Sequence, residues 1–288
     1  MSTPGPAGGQ IHSDGLGIAY LDWGGDGEPL VALHPNGFCA GMYDPLVARL
    51  GDHYRVVGVD LRGHGASETV TDEARLGNDA MARDVLRVLD HLGIDRFALL
   101  GVSLGGGVAV IVAAEAPQRV VSLMLCEAIA LDPGEREKQG VPFEGAESPL
   151  VAGARRRRRV WDDQAGVKAS YGSRPPLGAL DPEVLSAYVR WGFVDRSDGR
   201  IELACDPETE ASIFSTTRPN GPTHSFERLA EVRCPTSVLC GSRTDLAPEW
   251  FDAQAEVLGV EAQVVDGGHF FLFEDLDRAA ALIRRALA

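Results

Sequence analysis

The stretch RFALLGVSLGGGVAVIVAAEAP, residues 96–117, places a serine where two kinds of segment meet. Arg96–Val102 ends in a short apolar run of strand length, and Leu104–Ala116 is an Ala- and Val-rich segment of helix length. Between them lies Gly101-Val-Ser-Leu-Gly105. A serine flanked by glycines at a strand-to-helix join suggests a backbone turned sharply, with the Ser103 hydroxyl projected outward as a nucleophile's would be. The pattern alone is weak. With 34 glycines in 288 residues, it should arise by chance roughly 0.2 times per chain of this composition, so the flanking elements must decide.

Outward from Ser103, extended segments recur at Gly17–Trp23, Pro29–Leu33, Arg55–Asp60, Val120–Cys126, Thr236–Cys240 and Glu261–Val265. Several are continuous apolar runs, as expected of strands buried on both faces. Helical patterns separate them at Tyr43–Leu50, Asn78–Leu92, Glu249–Leu258 and Asp275–Leu287. Strands alternating with helices predict an α/β fold with a doubly wound, mostly parallel sheet. Gln10–Ser13 and Gly17–Trp23 are close enough in sequence to pair as an antiparallel hairpin at one edge. The alternation breaks between about Asp132 and His224, where Pro, Gly, Arg and acidic residues dominate, and Asp181-Pro182 reads as a helix start. Because the alternation resumes afterwards, this stretch is expected to be a largely helical cap interrupting one domain. The expected organisation is core 1–131, cap 132–225 and core 226–288.

Composition bounds the function. A hydrophobic fraction of 44% and a charged fraction of 24% are ordinary for soluble globular proteins. No apolar run is long enough to span a membrane, and the N-terminal MSTPGPAGGQ lacks the basic-then-apolar order of a signal peptide, so a cytoplasmic location is expected. The five cysteines, 39, 126, 205, 234 and 240, are widely spaced, which disfavours disulfide scaffolds and zinc sites. A net charge of −15 argues against nucleic acid and anionic membranes as partners. Arg155–Arg159 is the exception, read as a solvated helix surface in preference to a local anion site.

In open α/β sheets ligands bind beyond the carboxyl ends of the strands. There the sequence has HPNGF from His34, DLRGHGAS from Asp60, GVSLGG, CGSRTDLAP with Asp245, and DGGHFF with His269. Taken jointly, DLRGHGAS, GVSLGGG and GGHF resemble the α/β-hydrolase fold superfamily over roughly 11–130 and 226–288. The resemblance implies Ser103 as nucleophile and His269 as the base that takes its proton. It implies Asp245 as the acid orienting His269, with Glu127, just after LMLC, at the position some members use instead. The oxyanion formed on attack would be met by the backbone N–H of Leu104 and a second donor from HPNGF, either Asn36 or Phe38. His34 and His64 are read as bracing residues, because one base suffices.

A serine at the elbow disfavours relatives that attack through aspartate. Cleavage of a carboxylic ester or lactone of a small, neutral, largely apolar substrate leads, without metal or cofactor. Carbon–carbon bond hydrolysis, thioester hydrolysis, cofactor-free perhydrolysis and a non-catalytic ligand-binding role stand as alternatives. Nucleotide binding fails, since no G-x-G-x-x-G or Walker pattern occurs at the elbow. Phe38, Trp161, Tyr188 and Trp191 are the expected pocket aromatics, with Phe143, Tyr171, Phe193 and Phe214 as further cap candidates. The oligomeric state is left open.

Overall fold

A computed structural model describes residues 5–134, 148–215 and 220–288, so Phe143 lies outside the described residues. The core strands are β1 (Ala7–Ser13), β2 (Leu16–Asp22), β3 (Glu28–Leu33), β4 (Tyr54–Val59), β5 (Phe97–Val102), β6 (Val120–Cys126), β10 (Thr236–Gly241) and β11 (Ala262–Val265). They form one sheet in the order β1-β2-β4-β3-β5-β6-β10-β11. The β1–β2 hairpin is antiparallel and β2 meets β4 antiparallel; every other pairing is parallel. The expected doubly wound sheet and its edge hairpin are both present.

The apolar runs form strands because both faces are covered. Along β5 the side chains alternate between two cores: Ala98, Leu100 and Val102 face one, Phe97 and Leu99 the other. The first core is closed by α1 (Asp44–Leu50), through Leu46 and Leu50, together with the C-terminal helix Leu276–Ala286, through Ala279, Ala280 and Ile283. The second is closed by α2 (Asn78–His91) and α3 (Leu104–Glu115), joined by Phe251 and Ala255 from Pro248–Leu258.

The chain runs from β3 outward to β4 and returns to place β5 on the other side of β3. The loops after β3 and β5 therefore diverge at a switch point, which leaves a crevice beyond the strand ends. Over that crevice lies the insertion between β6 and α8 (Pro222–Glu227). Among the described residues it carries helices α4 (Pro149–Arg155), α5 (Gln164–Gly172), α6 (Pro182–Trp191) and α7 (Pro207–Phe214). Helix α6 starts where Asp181 was expected to start it: the Asp181 carboxylate accepts from the Glu183 N–H at 2.8 Å and Pro182 occupies the first turn. The final helices are α9 (Pro248–Leu258) and α10 (Leu276–Ala286).

Two features of the insertion differ from expectation. It also carries a small antiparallel sheet, β7 (Val160–Trp161), β9 (Ile201–Leu203) and β8 (Phe193–Asp195). Strands of two or three residues leave no periodicity to read. The arginine run is solvated, as expected, at Arg155, Arg156, Arg158 and Arg159, but it is not one helix face: helix α4 ends at Arg155 and Arg157 turns inward. Four of its members are ion-paired within the insertion, Arg155 with Glu208, Arg157 with Glu210, Arg158 with Asp162, and Arg159 with Asp206.

Candidate active site

Ser103 occupies a left-handed backbone conformation, φ 54° and ψ −117°, between β5 and α3. A non-glycine residue held there costs on the order of 1–3 kcal/mol and persists only where its surroundings enforce it. The enforcement is visible at the flanking glycines. A methyl group on Gly105 would stand 2.2 Å from the Leu33 carbonyl oxygen, and one on Gly101 would stand 2.5 Å from the Gly105 carbonyl oxygen. Only hydrogen at these positions lets α3 start this close to the ends of β3 and β5.

The His269 Nε2 atom is 3.1 Å from Ser103 Oγ, and its Nδ1 is 2.6 Å from Glu127 Oε2. Glu127 therefore occupies the place expected of Asp245. Strand β6 lies between β5 and β10, with Cys126 in register with Val102 and Leu239, so the next residue emerges beside the elbow. Glu127 takes a positive φ of 47°, and its side chain reaches the Nδ1 edge of His269. Its carboxylate is wholly buried and fully used: Oε1 accepts from the Gly241 N–H at 2.6 Å, and Oε2 also accepts from the Thr244 hydroxyl at 2.6 Å. Asp245, one residue beyond Thr244, is exposed, and His269 Nδ1 meets Glu127 instead. The sequence offered both carboxylates. Only the register of β6 against its neighbours separates them, and Thr244, the anchor of Glu127, carried no signal of its own.

The HPNGF loop after β3 forms a turn in which the Phe38 N–H donates to the Pro35 carbonyl at 3.2 Å, with Gly37 at φ +76°. The Gly37 N–H donates to His64 Nε2 at 3.1 Å. Of the two candidate second donors, Phe38 is thus committed to the turn, while no acceptor within the described chain takes the Asn36 N–H. The Leu104 N–H belongs to the first turn of α3, whose amides lack intrahelical partners. Of the expected donors, Phe38 is the one the turn consumes.

His34 and His64 are wholly buried braces. His34 Nδ1 lies 2.8 Å from the Pro35 carbonyl, and Nε2 accepts from the Leu61 N–H at 3.0 Å. His64 Nδ1 lies 2.9 Å from the Arg62 carbonyl. Each imidazole donates at Nδ1 and accepts at Nε2, which only the neutral form can do. Burial pushes the pKa of His64 down to about 4 and that of His34 well below its ordinary value.

The expected pocket aromatics separate into different roles. Phe38 meets Phe270 edge-to-face at 5.1 Å, and the Phe270 ring is 4.7 Å from His269, so these two form an apolar wall beside the histidine. Tyr188 is buried behind Phe38, 4.7 Å away, with its hydroxyl donated to the Gly37 carbonyl at 2.9 Å. Trp161 packs inside the insertion, with its indole N–H on the Arg158 carbonyl at 2.8 Å and its ring 5.7 Å from that of Tyr171. Trp191 lies over Gly41 and lines a separate cavity of about 390 Å³ against Gly9, Tyr20 and Asp60. Trp161 and Trp191 are thus not beside Ser103. Phe270 was visible in the sequence only as one of two phenylalanines following His269. Among the described residues no group of His, Cys, Asp or Glu is placed to hold a metal ion.

Comparison with known proteins agrees with this fold. Residues 28–147 match the family model described as alpha/beta hydrolase fold. A putative non-heme haloperoxidase of Mycobacterium phage D29 is 37% identical over 278 residues, covering 91% of this chain and 88% of that protein. The chain belongs to the α/β-hydrolase fold family. Within it, 3-oxoadipate enol-lactonase 1 of Acinetobacter baylyi is 37% identical over 248 residues, covering 83% of this chain and 80% of its own. A thioesterase domain from the curacin biosynthetic pathway superposes with a TM-score of 0.78 over 98% of this chain and 100% of its own, at 18% identity, which shows the shared α/β-hydrolase fold alone.

Proposed function

We propose that this α/β hydrolase cleaves a carboxylic ester or lactone of a small, neutral, largely apolar substrate through an acyl-enzyme on Ser103. The observation that carries the reading is the continuous chain from Ser103 Oγ through His269 to the Glu127 carboxylate, at 3.1 and 2.6 Å. As Ser103 attacks the carbonyl, His269 Nε2 takes its proton, and Glu127 fixes the Nδ1–H tautomer and stabilises the imidazolium. The carbonyl oxygen becomes an oxyanion facing the Leu104 and Asn36 amides. The alkoxide leaves with the proton from His269. Water then attacks the acyl-enzyme with His269 as base, which releases the acid and restores Ser103.

The phenylalanine wall of Phe38 and Phe270 suits an apolar acyl or alkyl group. The net charge of −15 disfavours encounter with anions, which supports a neutral substrate. The lactonase name of one long-range relative fits the same chemistry. A second reading rests on the haloperoxidase name of the phage relative: hydrogen peroxide in place of water at the second step would release a peracid.

Incubation with a fluorophosphonate should add one phosphonyl group at Ser103 and abolish turnover of aryl esters and lactones. Ser103→Ala should fold and lose both labelling and nearly all turnover, retaining only what binding and the oxyanion donors supply. Unlabelled wild-type protein, or wild-type turnover in Ser103→Ala, would overturn the reading. Adding hydrogen peroxide to the ester assay distinguishes peracid formation from hydrolysis.

A further inference from the structure

The insertion reaches the oxyanion-side loop through a largely buried polar chain drawn from four of its parts. Arg157, just beyond α4, is ion-paired with Glu210 of α7. Its other nitrogen, Nη2, donates to the Tyr188 hydroxyl of α6 at 2.7 Å and the Tyr171 hydroxyl of α5 at 3.1 Å. Tyr188 passes the contact on, donating to the Gly37 carbonyl at 2.9 Å. From the other side, Asn36 Nδ2 donates to the Glu210 backbone carbonyl at 3.0 Å. The loop lies flush against this chain: a methyl on Gly37 would stand 2.8 Å from Glu210 Cδ and 2.9 Å from Arg157 Nη1.

We infer that Arg157, Glu210 and Tyr188 form a latch through which the insertion positions the Asn36 amide for the oxyanion, making them positioning residues for turnover. The inference rests on the proposed acyl-enzyme chemistry. Its physical basis is that the chain around Asn36 is held at three points. His64 Nε2 accepts the Gly37 N–H from the core, the Tyr188 hydroxyl holds the Gly37 carbonyl from the insertion, and the Asn36 side chain donates to the Glu210 carbonyl. The two peptides that flank Gly37 and the side chain of Asn36 are thereby fixed, which limits how Asn36, and with it its N–H, can turn. The paired Arg157 keeps Tyr188 oriented as a donor to the carbonyl, since a guanidinium has no acceptor and obliges the phenol oxygen to accept from it. Burial raises the Tyr188 pKa and keeps that phenol protonated. A donor aimed at the oxyanion acts on the transition state more than on the bound carbonyl. Loosening the latch should therefore lower kcat and leave KM nearly unchanged.

The test compares wild type, Tyr188→Phe, Arg157→Met and Arg157→Lys on an aryl ester that the wild-type protein turns over, well below each melting temperature. Tyr188→Phe and Arg157→Met should each lower kcat about 10- to 100-fold, the range for a misplaced donor, with KM within about threefold. Affinity for an arylboronic acid, which mimics the tetrahedral state, should fall in parallel with kcat. Arg157→Lys, which keeps the charge opposite Glu210, should recover part of the loss. The double variant should fall no further than the worse single one, because both act through the same peptide. If either substitution leaves kcat unchanged, or raises KM while sparing kcat and boronate affinity, the latch is overturned. Should Tyr188→Phe fail to fold, Glu210→Gln with the boronate measurement carries the same test. Failure of the proposed function is distinguishable, since the wild-type protein would then neither label with fluorophosphonate nor turn over the ester.

Discussion

At the residue scale, the distinction that matters is between two carboxylates. Asp245 has the expected chain order and spacing from His269, yet it is exposed, whereas Glu127 is buried with both oxygens engaged by Gly241, Thr244 and His269. Glu127→Gln would present an amide that cannot restore the same tautomer of His269. It should lower kcat about 10³- to 10⁴-fold with the fold intact, as loss of a triad acid does. Asp245→Asn should leave kcat near the wild-type value. Steady-state kinetics on a common aryl ester checks both, and the opposite order of damage would return the acid to Asp245.

At the element scale, the join of β3, β5 and α3 depends on absent side chains. Because a Cβ at Gly105 would meet the Leu33 carbonyl at 2.2 Å, Gly105→Ala must push α3 from the end of β3, where the oxyanion loop begins. Overpacking of this kind costs about 1–3 kcal/mol, and moving the Leu104 amide relative to Asn36 should lower kcat beyond what lost stability explains. Gly153 of α4 is the contrast: nothing lies within 4 Å of an added methyl. Gly153→Ala should be neutral or stabilising by up to about 1 kcal/mol. Thermal melts with kcat measured at low temperature separate the two. Equal behaviour of the variants would mean that the elbow tolerates displacement.

At the scale of the whole molecule, buried titratable groups link stability to pH. His34 and His64 are neutral in the folded protein, with the pKa of His64 near 4, while in the unfolded chain a histidine titrates near ~6.5. As pH falls below ~6.5 the unfolded chain binds protons that the folded one refuses, so folding loses up to about 1.4 kcal/mol per pH unit for each histidine. Asp60 acts oppositely. Burial raises its pKa to about 6, so below that value the folded state holds a proton that the unfolded chain releases, and part of the loss is offset. Urea midpoints should therefore be flat near pH 7–8 and decline on acidification toward pH 4.5, with a shallower decline in His64→Gln. A midpoint that rises on acidification would contradict the neutral assignment of both histidines.

Local sequence signals were enough for the alternation of buried strands and helices, the sharp turn at Ser103 and the loop that carries His269. These are written locally: in apolar runs of strand length, in glycines where backbones must touch, and in a serine at the join. The sequence could not choose between Glu127 and Asp245 or between Asn36 and Phe38, because each choice depends on strand register and on which loop amides the turn consumes. Nor did it reveal that Arg157, within a run resembling solvated charge, is half-buried against Glu210 and Tyr188. A charged side chain leaves water only when partners distant in the chain, here 31 and 53 residues away, arrive to satisfy it. Only the tertiary structure brings them together.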